Sequence, residues 1–289
     1  MKLTKEDEDF LEHYSDEEYD KPSVTVDSVI LRLMDEETNN YRKLPKKKLQ
    51  VFLQKREYAP YKNAYSIVGT FIDLKSELST SMKLCVKKKV GIENFYHEQL
   101  YTFGEKSRDP RTRVISVSYM LLTNKQEKLQ SGDWFDVEVS LICSGQEKTE
   151  RGYCFSQTFE IVLSNGTNIL KNKLKVTITK QDLEEVKSVE VLENSLAFDH
   201  IKIIYYALER LKNKLGYTDI VFNLLPEKFT LTELKNSYEV ILNDKLLDAN
   251  FRRKIANMVS PINEFTENKG HRPSQLFVHK LDWKLNNID

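Results

Sequence analysis

Residues 230–259 read TLTELKNSYEVILNDKLLDANFRRKIANMV, and this stretch decides the architecture of the chain's end. Thr230 stands three residues before Glu233, the reciprocal pattern by which a hydroxyl and a carboxylate satisfy the free N–H groups at a helix start. Leu231, Leu234, Tyr238 and Ile241 then recur at helical spacing and make one apolar face. NDKLL is a short turn. A second helix follows, with Asp248 as the expected cap and Phe251, Ile255 and Val259 facing inward. Two short helices across a tight turn make a helix-turn-helix.

The surroundings extend that reading. Asn250, Arg252, Arg253 and Lys254 fall in the first turns of the second helix, from which side chains reach base edges in such motifs. Beyond it, strands are expected at about 262–266 and 275–279. Between them ENKGHRPS forms a basic tip, with Lys269, His271 and Arg272 closed by Pro273, as a wing would be. Residues 251–284 hold seven Lys/Arg against three Asp/Glu, whereas the 289-residue chain balances 44 against 44. Attraction to a polyanion is therefore local, not global. A lone basic triplet is usually a solvated face. Together with the helix pair, the strand pair and the basic tip, this one reads as a contact for double-stranded DNA.

Upstream, SLAFDHIKIIYYALERLKNKLGY (195–217) predicts a helix with Phe198, Ile201, Ile204, Tyr205, Leu208 and Leu211 on one stripe, ended by Gly216. No Gly/Ser-rich linker precedes it, so the domain joint, near residues 193–198, is expected to be the helix itself. Before it the chain is mostly strand. Alternation and β-branched residues predict strands at 23–34, 49–57, 65–72, 112–123, 133–144, 152–164 and 172–180, the last three as a meander. A helix is expected over 77–90, capped by Ser79 or Thr80, and a short one over 4–14, capped by Thr4. The class is α+β.

Several functions are disfavoured. No apolar run is long enough to span a bilayer. The first twenty residues carry nine acids and no signal-peptide core, so a cytoplasmic protein is expected. Three cysteines (Cys85, Cys143, Cys154) lack metal spacing and five histidines do not cluster, so no zinc site and no cofactor are expected.

YHEQLYTFGEKSRDPRTRVISVSYMLL (96–122), KPSVTVD (21–27), LQVFLQKREYAPYKN (49–63), LAFDHIKI (196–203) and HRPSQLF (271–277) carry a resemblance to the Nudix-related transcriptional regulators, the NrtR-like family. It covers nearly the whole chain in the same order. The resemblance implies a Nudix-fold α/β/α sandwich over 1–195 and a winged helix-turn-helix over 196–289. It also implies a homodimeric repressor of NAD-metabolism or sugar-use genes, with ADP-ribose or a related nucleotide or sugar metabolite as effector.

The Nudix signature G-x5-E-x7-R-E-U-x-E-E-x-G-U sets carboxylates on one helical face to hold divalent cations against a diphosphate. Aligned on Gly91 and Ile92, its opening glycine becomes Thr70, its first glutamate Ser76, its Arg-Glu pair Leu84-Cys85 and its last two acids Lys88 and Lys89. Two ammonium groups repel the dication that two carboxylates would hold. Metal-assisted hydrolysis is not expected. Lys88 and Lys89 either draw an anionic ligand or remain as solvent-facing residues of a helix kept for packing.

Candidate effector contacts are Lys55, Arg56, Arg108 and Arg111 for phosphates, and Tyr58 or Phe103 to stack on a base. Alternatively, the Arg-rich loop pairs with Asp109 and neighbouring acids. The additional strands at 133–180 could enlarge the sheet, cover the cleft or serve a dimer interface. The leading expectation is a DNA-binding regulator with a non-catalytic sensor domain. The alternatives are a hydrolase of nucleoside diphosphate derivatives, and a constitutive DNA-binding protein with a non-functional pocket.

Overall fold

A computed structural model describes residues 3–15, 17, 19–36, 46–125, 129–266 and 273–281. The chain opens with α1 (Lys5–His13), where the Thr4 hydroxyl accepts from the Asp7 N–H and the Asp7 carboxylate takes the Thr4 N–H. No residue of α1 is buried.

The centre of the molecule is β1 (Ser23–Asp35), buried without interruption from Val26 to Leu31. A strand covered on both faces reads as a continuous run rather than an alternation. β1 pairs antiparallel with β2 (Lys47–Lys55) and parallel with β6 (Val114–Leu122). The strand expected at 65–72 breaks in two. β3 (Tyr65–Ser66) pairs with β2, and β4 (Val68–Phe71) pairs with the start of β1. β5 (Tyr96–Phe103) closes one edge against β6.

The other edge is extended by β7 (Asp133–Thr149), β8 (Gly152–Ser164), β9 (Ile169–Gln181) and β10 (Glu184–Glu193), giving the order β10-β9-β8-β7-β2-β1-β6-β5. Of the roles open to the extra strands, the first is observed: they enlarge the sheet. β10 is not foreseen by the sequence. Its EEVKSVEVLE is charged and nearly all exposed, as suits an edge that must not pair further.

A helix packs on each face. α2 (Leu78–Val90) places Met82, Val86 and Val90 on Val26, Ile30, Phe52 and Leu121. Neither Ser79 nor Thr80 caps it. The helix already includes both residues, with Glu77 at the cap position and no side-chain bond. Gly91 ends it at φ 92°, its N–H bonded to the carbonyls of Val86 and Lys87, a left-handed turn that favours glycine.

α3 (His200–Lys214) lies on the opposite face, setting Ile201, Ile204 and Leu211 in one core with Val29, Leu31 and Leu53. It is shorter than its sequence stripe suggests. Phe198 lies before its start, because the segment leading into it is fastened to β9 and β3. The layers are thus α2, sheet, α3.

The C-terminal unit continues from α3 through a short 3-10 helix (Ile220–Leu224) to β11 (Lys228–Phe229), α4 (Leu231–Leu242), α5 (Asp248–Ile255), β12 (Val259–Phe265) and β13 (Gln275–His279). The three strands form a second sheet, β11-β13-β12. The capping box of Thr230 and Glu233 forms as read. Asp248 does not cap α5: Leu247 holds that position, and the Asp248 carboxylate accepts from Lys235 of α4. Phe251 and Ile255 are buried, with Phe251 edge-on to Tyr238 at 5.5 Å.

Candidate functional site

Strands β1 to β4, the start of β6, the end of α2, two loops and the entry to α3 converge on a cleft of about 370 Å³. β1 supplies Thr25 and Asp27, the β2–β3 loop Arg56 and Tyr58, and β4 Gly69 and Phe71. α2 supplies Lys89, the loop after β5 Arg108, Asp109 and Arg111, the connector Phe198, and the first turn of α3 His200. Four basic side chains (Arg56, Lys89, Arg108, Arg111) face two acids (Asp27, Asp109), so the lining suits an anion.

Asp27 sits buried at the sheet's centre, accepting from the Ser116 hydroxyl and from Thr25 at 3.4 Å, with the Arg108 guanidinium 3.7 Å away. Burial pushes its carboxyl above the usual range, opposed by the Ser116 hydrogen bond and the charge of Arg108. Gly69 faces it closely: a Cβ there would lie 2.0 Å from Asp27 Oδ1.

Arg108 is buried and forked. Its Nε and Nη2 donate to the two oxygens of Asp199 at 2.9 and 2.8 Å. Arg111 grips Asp109 in the same bidentate way, at 3.0 and 2.7 Å. The loop thus pairs with itself at Arg111, Arg108 reaches out to Asp199 instead, and both arginines still line the cleft. Arg56 donates to the Pro60 carbonyl at 2.9 Å and lies 4.7 Å from the centre of the Phe198 ring. Burial and neighbouring Arg111 lower its proton affinity. Tyr58 stands at the rim, 76% exposed, available to a planar group.

Two of the expected contacts lie elsewhere. Phe103 is turned by strand alternation to the α3 side, buried against Tyr206 at 5.2 Å. Lys55 is exposed and does not line the cleft. Lys88 likewise points to solvent, while Lys89 enters the cleft and donates to the Gly69 carbonyl at 2.5 Å.

Sequence reasoning misses Asp27, Phe198 and His200 as parts of the site. Asp27 carries a cue, being an acid in the middle of the apolar run VTVDSVIL. The other two carry none, since they lie far along the chain.

A divalent ion does not fit this lining. Ser76, Leu84, Cys85, Lys88 and Lys89 hold the signature's acidic and basic positions, and an ammonium occupies a carbonyl that a hard cation could have used. Among the described residues no group of three or more His, Cys, Asp and Glu could hold a metal.

The connector is the cleft's far wall. Phe198 adopts φ 54°, a left-handed conformation costly for an aromatic residue. It is held by Tyr61 edge-on at 4.9 Å and by the Asn194 amide donating to its carbonyl at 2.7 Å. Ser195 donates to Asn172 and Lys171 of β9, and Ala197 to Tyr65 of β3. His200 Nδ1 accepts from the Ile67 N–H at 3.3 Å, and burial pushes its pKa down to about 3, so the ring is neutral.

A wider groove of about 950 Å³ separates β7 and β8 from α3 and the end of α4. Its lining balances Lys47, Lys48 and Lys212 against Asp136, Glu138, Glu160 and Glu209, and Lys48 is already paired with Asp136 at 2.8 Å. It offers no excess of cations. Asn243, at φ 54° after α4, donates across the groove's end to the Val139 carbonyl at 2.9 Å.

On α5, Asn250, Arg252, Arg253 and Lys254 are exposed, while Phe251 and Ile255 are buried. Arg253 donates to Asn250 at 3.3 Å, and Lys254 lies 5.0 Å from the centre of the Tyr238 ring. Lys269, His271 and Arg272 lie outside the described residues.

Residues 221–278 match the NrtR DNA-binding winged helix domain. The chain is 28% identical, over 96% of its length and 90% of the relative's, to the ADPR responsive transcriptional repressor NtrR of Acinetobacter baylyi. Its fold is similar to a MutT/nudix family protein from Enterococcus faecalis, with TM-score 0.66 and 23% identity over 95% of this chain and 93% of that one. It is similar also to Shewanella oneidensis NrtR complexed with a 27mer DNA, with TM-score 0.57 and 23% identity over 90% and 94%. The C-terminal unit is thus a winged helix domain of the NrtR kind on a Nudix-like mixed sheet, and the resemblance read from the sequence holds.

Proposed function

We propose that this chain is a cytoplasmic transcriptional repressor whose winged helix holds an operator duplex and whose Nudix-like domain senses ADP-ribose, or a closely related nucleoside diphosphate metabolite, without hydrolysing it. The observation that carries this reading is the position of the connector. The cation-lined cleft has Phe198 and His200 as one wall, and these residues lead directly into α3 and the DNA-reading unit. The function named for the Acinetobacter baylyi relative supports it.

Arg56, Lys89, Arg108 and Arg111 would meet the diphosphate, and Tyr58 would stack on the base. Loss of the acidic box leaves recognition as the sensor's task. α5 would enter the major groove with Asn250, Arg252, Arg253 and Lys254, and the basic residues Lys269, His271 and Arg272 would meet the phosphate backbone. The sensor would span 1–195 and the reader 196–289, with α3 packed into both.

The protein acts as a homodimer, because operator half-sites about 34–36 Å apart need two readers. The exposed apolar residues of β7 and β8 support this: Leu141 and Ile142 are each 51% exposed, and Tyr153 and Phe155 stand exposed further along the same hairpin. A twofold contact there would cover them.

The test is a mobility-shift titration on an inverted repeat beside the protein's own gene, with and without ADP-ribose. The expected result is an operator affinity that changes with ADP-ribose and no cleavage of ADP-ribose with Mg²⁺. An unchanged operator affinity at saturating ADP-ribose supports constitutive DNA binding instead. Sedimentation of the wild type against Leu141→Lys checks the dimer.

A further inference from the structure

We propose that Asp199 is a built-in counter-anion that competes with the effector's diphosphate for Arg108, and that its displacement is the event the DNA-reading unit feels. The proposal rests on the reading of the cleft as an effector site.

Arg108 lines that cleft, yet its side chain is only 5% exposed and both arms of its fork are taken by Asp199. The Nε–Nη2 edge of this guanidinium can grip a phosphate in bidentate fashion only by exchanging one anion for another. The exchange is geometrically fair, since two phosphate oxygens fit the same planar fork as two carboxylate oxygens. It is also electrostatically fair, because the buried cation is never left uncompensated. Asp27 cannot substitute for Asp199: it lies 3.7 Å from Arg108 and is already engaged by Ser116.

Asp199 stands at the head of α3. Its carbonyl accepts from the N–H groups of Lys202 and Ile203 at 2.9 and 3.3 Å, while its side chain is spent on Arg108 rather than on capping the helix. The residue before it, Phe198, is the strained one, stacked beneath Arg56 on the cleft side. Anion exchange at Arg108 therefore releases the carboxylate that fixes the start of α3, at a place where the backbone already favours another conformation. α3 in turn packs against α4, so the release is transmitted to the helix-turn-helix. An effector that left Asp199 in place would have no differential hold on two reader positions and would shift nothing.

The experiment measures binding of ADP-ribose and of inorganic pyrophosphate to the full-length protein by calorimetry, and operator affinity with and without saturating ADP-ribose. It compares the wild type, Asp199→Asn and Asp199→Glu, after thermal unfolding has confirmed that each is folded. Asp199→Asn is expected to bind both anions roughly tenfold more tightly and to lose most of the ADP-ribose effect on operator affinity, in line with ordinary coupling energies. Asp199→Glu keeps the competing charge and should retain weak anion binding and the response.

Wild-type affinities and an intact operator response in Asp199→Asn would overturn the counter-anion alone. Identical behaviour of the Asn and Glu variants would reduce Asp199 to packing and overturn it too. If neither anion binds the wild type or either variant, the effector reading of the cleft fails, and this proposal with it.

Discussion

Lys89 Nζ is hydrogen-bonded to the carbonyl oxygen of Gly69, joining the last turn of α2 to β4 across the floor of the cleft. A positive charge stands where the Nudix pattern would place a carboxylate, and it is held there by the backbone. The pair Lys88→Glu and Lys89→Glu should therefore not create Mg²⁺-dependent cleavage of ADP-ribose, since Ser76, Leu84 and Cys85 remain. Product analysis with Mg²⁺ and Mn²⁺ checks this. Lys89→Ala should weaken ADP-ribose binding by about 1.5–3 kcal/mol, the worth of a charge-assisted hydrogen bond.

His200 makes the fold acid-sensitive. Its pKa is about 3 in the folded protein against 6.5 ordinarily, because burial disfavours the imidazolium. The unfolded chain thus takes up this proton first as the pH falls. The stability His200 contributes is full above pH 6.5 and is lost progressively towards pH 3. Asp27, whose carboxyl is raised by burial, pulls the other way. Between about pH 7.5 and 5, wild type should lose about 2 kcal/mol relative to His200→Asn, which can still accept the Ile67 N–H. Urea unfolding of both proteins at the two pH values measures the difference.

Gly69→Ala tests the close approach in the cleft floor. The added methyl would stand 2.0 Å from Asp27 Oδ1 and 3.2 Å from the Val26 carbonyl, and neither the buried carboxylate nor the central strand can retreat freely. A loss of about 1–3 kcal/mol is expected, as for overpacking elsewhere in protein cores. Thermal unfolding reads it directly.

Asn250→Ala and Arg253→Ala should relax base preference, by about 1–3 kcal/mol for each bidentate pairing with a base edge that the truncation removes. An equal weakening on operator and random duplex would reassign the residue to the phosphate backbone. Salt titration separates the two, since each neutralised phosphate contributes about 0.9 to the slope of log K against log salt.

What could be read from the sequence follows the range of the interactions involved. Thr230 and Glu233 announce α4 because both partners lie within one helical turn. Gly91 secures the α2 frame because a left-handed cap is a local demand. Asp248 misleads for the opposite reason: Lys235, from the neighbouring helix, captures the carboxylate that would have capped α5. β10 hides behind the charges that protect its edge. In the cleft, Arg56, Arg108 and Arg111 stand out as cations on loops. Nothing local, however, tells that Arg108 pairs with a residue 91 positions on, or that Phe103 faces the core while Tyr58 faces the rim.

The stitching of residues 194–197 to β9 and β3 bears on how such chains can be recombined. Asn172 and Lys171 of β9 and Tyr65 of β3 lose their bonding partners if the segment is replaced by one of different sequence or length, and α3 leaves an apolar sheet face bare if it departs with the reader. A chimaera that exchanges operator specificity must therefore be spliced beyond α3, near Tyr217, so that every graft inherits the recipient's own α3.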